Sequence, residues 1–143
     1  MQKRIEAMKT IANQVYDEER SLYDVSNVHI LDCTFDGPAD GESAVKECSD
    51  IVAERCSFNL RYPFWHVHGL DIRECHMSEG CRAALWYSDR VSVTGSRLHG
   101  VKAFRECRDV LVRNCDIKSD EFGWFSREFV MEDCTVESNY FML

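Results

Sequence analysis

A chain of 143 residues, 45% hydrophobic and 29% charged, has room for one modest core and little room for a second domain. Lys and Arg number 17 against 25 Asp and Glu, and a net charge of −8 lacks the basic footprint that nucleic-acid binding needs. Two prolines and seven glycines are too few for a disordered or linker-rich chain.

The N-terminus, MQKRIEAMKTIANQ, mixes charges through its apolar positions and has no hydrophobic signal core. No run approaches the roughly eighteen apolar residues of a membrane span. A cytoplasmic protein is expected, with neither nucleic acid nor membrane as a partner. Ile5 and Met8, three apart, predict a short helix. Residues 1–12 read as an N-terminal cap over the open first coil of a repeat.

The repeat is marked by its cysteines. Cys33, Cys56, Cys75, Cys115 and Cys134 are separated by 23, 19, 40 and 19 residues, and the gap of 40 divides into 21 and 19 if Ser96 takes the vacant place. Aligned on that column, the segments read SNVHILDCTF, SDIVAERCSF, HGLDIRECHM, DRVSVTGSRL, RDVLVRNCDI and REFVMEDCTV. Five residues before the column stand Val28, Ile51, Leu70, Val91, Val110 and Phe129. Three before it stand Ile30, Ala53, Ile72, Val93, Val112 and Met131, and two after it Phe35, Phe58, Met77, Leu98, Ile117 and Val136. All are apolar, and period-two alternation on both sides of a short break is strand–turn–strand with one buried face.

A unit of about 20 residues cannot bury that face alone and must stack on its copies. Eleven residues before the column, Leu22, Val45, Phe64, Leu85 and Phe104 mark a third strand; the last member is Gly123, which predicts a bulged or shifted final rung. The fold class is all-β: a single domain over residues 1–143, forming a right-handed parallel β-helix of about six short coils.

The column cysteines are expected to be free thiols packed inside, because parallel side chains in a ladder suit a disulfide poorly. Cys48 and Cys107 fall in a second inward column with Val67, Ser88 and Ser126, and Cys81, in a turn, is expected to be the accessible thiol. No C-x-x-C pair of the zinc-binding kind occurs. The chain stops at Tyr140-Phe141-Met142-Leu143, partway through a coil and without a cap, so a truncated chain or a covering partner is expected. A homodimer through that C-terminal coil is one arrangement; the other uses Leu111 and Val130, apolar neighbours on a face that should be polar.

The motifs TFDGPADGESAVKE, FNLRYPFWH, CRAALWYSD, KAFRECRDV and EFGWFS, in that order, resemble a bacterial family of small proteins catalogued as a domain of unknown function. That family looks like the pectin-lyase superfamily of right-handed β-helices. The resemblance covers roughly residues 14–143 and implies a longer β-helix that continues for several coils. It implies the fold and brings no activity, cofactor or substrate.

All three tryptophans fall in one column, ten residues before the cysteines: Lys46, Trp65, Trp86, Arg105 and Trp124, headed by Tyr23. Beside it run Glu47, His66, Tyr87, Glu106 and Phe125. At about 4.8 Å per parallel strand, Lys46 to Trp124 spans roughly 19 Å. Indole faces interleaved with charges suit a saccharide, whose apolar faces stack while its hydroxyls meet Glu, His and Arg. The same column also suits a self-satisfied cation–π ladder, with Lys46 over Trp65 and Arg105 between Trp86 and Trp124.

Catalysis fits less well. Glu47 and Glu106 lie three coils apart, about 14 Å, beyond the separation of a glycosidase pair. Each is also next to its own cation, Lys46 or Arg105. His66 and His68 invite a metal, with Asp89 one coil on, yet no third ligand converges. The expectation is a non-catalytic binder of a saccharide or similar extended ligand, needing no cofactor or metal. A protein-interaction scaffold is the alternative, and a pectin-lyase-like lyase or hydrolase ranks third.

Overall fold

The computed structural model describes residues 2–143, and the chain is a parallel β-solenoid of about seven turns. Lys9–Ala12, Ser26–Leu31, Ser49–Glu54, His68–Arg73, Asp89–Thr94, Arg108–Arg113 and Arg127–Glu132 make the first sheet, stacked in that order. A second seven-stranded sheet takes the two or three residues after each cysteine position, from Val15–Tyr16 to Thr135–Glu137. Phe64–Trp65, Leu85–Trp86 and Phe104–Arg105 make a third. Among the described residues no helix is long and apolar enough to cross a membrane.

The three apolar columns line the interior as their alternation requires. Ile30, Ile51, Ile72, Phe35, Phe58, Met77 and Leu98 are all under 2% exposed. Phe35 and Phe58 stack with centroids 4.7 Å apart and planes 4° from parallel. The last described rung differs: Phe129 and Met131 are half-buried and Val136 is 38% exposed. At Gly123 the inward place has no side chain, and fully buried Phe122 fills the space against Phe104 instead.

Two expectations change at the N-terminus. Residues 9–12 are the first strand, with Ile11 opposite Ile30, so the solenoid has a coil more than the cysteine column marks. Gln14 stands where a cysteine would be. The helix exists at Gln2–Glu6, but it is carried onto the outer face of the first sheet. There Arg4 reaches Asp71 at 4.0 Å, and outward-pointing Val52 is fully buried beneath a cover.

The corners of each coil recur in register. Asp32, Arg55, Glu74, Gly95, Asn114 and Asp133, each just before the cysteine column, all have φ between 48° and 60°. So do the corner residues Glu47, His66, Tyr87, Glu106 and Phe125, at 49–58°. A third such set, Asp50, Gly69, Arg90, Asp109 and Glu128, lies inside the first sheet, where ladder pairing skips it: Asp89 pairs with Arg108 and Val91 with Val110, leaving Arg90 and Asp109 out. Every coil after the first, with Asn27 in the second, thus carries a bulge one residue into the strand.

Spacing within a coil is uneven in a specific way. From the inward residue of the third strand to that of the second sheet the chain advances thirteen residues each time, as in Val45 to Phe58 and Phe104 to Ile117. The return connection advances six, eight or ten.

All eight cysteines are unpaired, and only Cys134 is not buried. The column thiols donate to backbone carbonyls at their own corner, as Cys56 does to Glu54 at 3.3 Å and Cys75 to Arg73 at 3.4 Å. Cys81 is the correction: it is 0% exposed, and burial pushes its thiol far up. Gly100 packs on it so closely that a Cβ there would sit 1.9 Å from the Cys81 carbonyl oxygen. Maleimide labelling of the native protein is therefore expected to modify Cys134 first and to reach Cys81 only in denaturant; mass mapping of the labelled peptides checks both.

Candidate functional site

The tryptophan column forms as its spacing requires. Trp65, Trp86 and Arg105 are ladder partners in the third sheet, and an isolated bridge joins Arg105 to Trp124. Lys46 continues the column in a turn, its neighbour Glu47 donating its N–H to the Trp65 carbonyl at 2.9 Å. The indoles of Trp65 and Trp86 lie 5.3 Å apart with a 34° tilt, and Tyr62 packs its edge on both at 6.0 and 6.2 Å. Lys46 Nζ sits 5.9 Å above Trp65.

Arg105 departs from expectation. Its guanidinium lies 5.2 Å from Trp86 and 5.5 Å from Phe125, which takes the place expected for Trp124. Its Nε is buried without a hydrogen-bond partner among the described residues, since ring faces flank the group. Trp86 and Trp124 each donate the indole N–H to a carbonyl sixteen residues on, Lys102 at 2.9 Å and Tyr140 at 2.6 Å. The indoles are thus half-buried and already engaged with one another, with cations and with backbone.

Open space lies one column over. A groove of about 440 Å³ runs along the solenoid between two rows. His66, Tyr87, Glu106 and Phe125 form one wall, His68, Asp89, Arg108 and Arg127 the other, with Ser88 and Cys107 at the floor. The first wall projects because its residues occupy left-handed corners. The second projects because of the bulge. His68, Asp89, Arg108 and Arg127 stand seven before the cysteine column, in phase with the inward residues at five and three, so plain alternation would bury them. The bulged residue after each restores the outward direction.

The polar groups of the groove are largely oriented by one another. His66 Nδ1 donates to Glu47 at 2.8 Å and His68 Nδ1 to Asp89 at 2.8 Å. A carboxylate on Nδ1 fixes the ring and its tautomer, leaving Nε2 as the group a ligand would meet. Tyr87 is hydrogen-bonded by the Glu106 carboxylate, which raises its phenol above the ordinary tyrosine range and keeps it a donor. Glu47 is held by His66 and not by Lys46; Glu106 has Arg105 at 3.8 Å. Among the described residues no three His, Cys, Asp or Glu side chains converge to hold a metal ion.

Of the residues singled out from sequence, His66, Tyr87 and Glu106 line the groove; Lys46, Trp65, Trp86, Arg105 and Trp124 build the ladder beside it. His68 and Asp89, which their spacing suggests as metal ligands, belong to the far wall. Arg108 and Arg127 escape a reading by spacing alone, although two arginines in an otherwise inward phase are a signal that the strand is bulged. Replacing Arg105 by Ala removes two ring contacts of about 0.5–1 kcal/mol each, so a loss of about 1–2 kcal/mol is expected in urea unfolding.

The family model described as protein of unknown function (DUF3737) matches residues 9–143. No curated protein and no solved structure matches the chain. The family match begins at the first strand of the solenoid and runs through every coil of it, and the chain accordingly belongs to the DUF3737 family of proteins of unknown function.

Proposed function

We propose that the protein is a cytoplasmic, non-catalytic binding module that takes a saccharide or similarly extended ligand in this groove. The tryptophan ladder is the rigid wall behind it. The observation that carries the reading is the pairing of a wall that holds the rings of His66, Tyr87 and Phe125 with a polar row along the solenoid axis. Phe125 is 60% exposed and stands on the same wall as Tyr87 and His66, facing imidazole and guanidinium groups across the groove. From His66 to Phe125 the wall covers three strand spacings, about 14 Å. Sugar rings present an apolar face for stacking and hydroxyls for hydrogen bonds, and both needs are met on opposite walls.

On a glycan array, Tyr87→Ala and Phe125→Ala are expected to lose binding with only a small fall in melting temperature, whereas Trp65→Ala lowers the melting temperature more. A wild-type protein that binds no glycan removes the reading.

Association of two copies is favoured by a separate observation. Val130 is 50% exposed beside Leu111, its ladder partner, and Phe141 and Leu143 are 43% and 62% exposed at the last coil. Light scattering at micromolar concentration is expected to give a dimer that Val130→Lys or Phe141→Ser weakens. A monomer under those conditions excludes this second reading.

A further inference from the structure

We infer that the ligand carries a phosphate or carboxylate group and that Arg108 and Arg127 bind it between them; the inference rests on the groove being the ligand site. The two arginines are ladder partners on adjacent strands, Arg108 opposite Arg127, so their stems rise about 4.8 Å apart from one wall. Like charges placed directly opposite repel. Carboxylates outnumber cations 25 to 17 in this chain, so a counter-ion from within would be easy to supply. Arg55, Arg61, Arg73, Arg90 and Arg113 each have one. Among the described residues, Arg108 and Arg127 have none within 4.0 Å; Arg20, Arg82 and Arg97 also lack one, but only Arg108 and Arg127 stand together in the groove.

The groove's own carboxylates are committed elsewhere. Asp89 gives one oxygen to His68 at 2.8 Å and the other to Arg90 at 3.4 Å. Glu106 serves Tyr87 and lies 3.8 Å from Arg105. Asp109 and Glu128 come directly after the two arginines at the bulge, and among the described residues they form no ion pair with either within 4.0 Å. Two guanidinium groups are left, both lining the same open groove, beside an exposed phenyl ring two residues before Arg127. Planar forks of this kind match the oxygens of a phosphate or carboxylate, and a sugar ring bearing such a group would rest on Phe125.

The test is calorimetric titration of three oligosaccharides of equal length, one neutral, one phosphorylated and one containing a uronic acid. The proteins are the wild type, the Arg108→Gln/Arg127→Gln double variant and an Arg97→Gln control. The expected result is that a charged glycan binds about tenfold or more tightly than the neutral one. That preference should vanish in the double variant, persist in the control and shrink with added salt. Which charged glycan wins identifies the group. Equal affinity for charged and neutral glycans, or a preference that the double variant retains, overturns the anion site and leaves the groove reading standing. If no glycan binds, thermal shift with inorganic phosphate decides. Stabilisation of the wild type that the double variant lacks upholds the anion site and removes the saccharide, and no stabilisation removes both.

Discussion

The structure depends on a hydrogen bond that each corner residue makes with the next coil. His66, Tyr87 and Glu106 sit in the left-handed backbone region, where a side chain costs roughly 1–2 kcal/mol. Their N–H groups reach the carbonyls of Trp86, Arg105 and Trp124 at 3.1, 2.9 and 2.8 Å. The corners before the cysteines do the same, Arg55 to Arg73 and Glu74 to Thr94, both at 3.0 Å. A turn that buried these donors without partners would be costlier than the strain, so the left-handed conformation is retained. The bond also fixes each coil directly above the last, and only then do side chains of equal position become columns.

Inside the corners the cysteine and serine columns perform a related task. A thiol is small and apolar enough to stack in a core, yet it donates weakly to a corner carbonyl that already accepts the neighbouring coil's corner N–H, as Cys75 does to Arg73. Burial pushes the thiols of Cys33, Cys48, Cys115 and Cys107 up, the last to about 11, so these four stay protonated donors and weak nucleophiles. The facing N–H finds its acceptor in the same column, weakly at Cys48, whose sulfur takes the Val25 N–H at 3.5 Å, and more closely where serine stands. Ser96 donates to Thr94 at 3.0 Å and accepts from the Cys75 N–H at 3.0 Å; Ser88 does the same for Trp86 and Val67. The vacancy that Ser96 fills in the cysteine series is thus a second solution to one hydrogen-bonding problem.

The apolar columns were legible because burial permits few side chains there: Ile30 and Ile72 cannot be polar where no water reaches. The first coil was not, since Gln14 stands in the cysteine's place and its neighbours are only partly covered. Corners were illegible for a different reason. Coil-to-coil bonding tolerates Tyr87, His66 or Arg90 in a conformation that local preference would reserve for Asn, Asp or Gly. The tryptophan strip was legible as a column with two readings, a ligand strip or a self-satisfied ladder, and spacing, which says only which residues align, could not choose between them. Placement of the N-terminal helix had a single trace in the sequence, the apolar Val52 among polar outward neighbours.

The thirteen-residue stretch common to every coil contains the indole ladder, both walls of the groove and the bulge between them. All variation in coil length falls in the return connection from the second sheet to the third. The solenoid is therefore divided, along its whole length, into a side that acts as a ruler and a side that acts as slack. A residue added or lost on the slack side is absorbed within its own coil, leaving the spacing of recognition groups untouched. The same change on the ruler side would put every later coil out of step with the first.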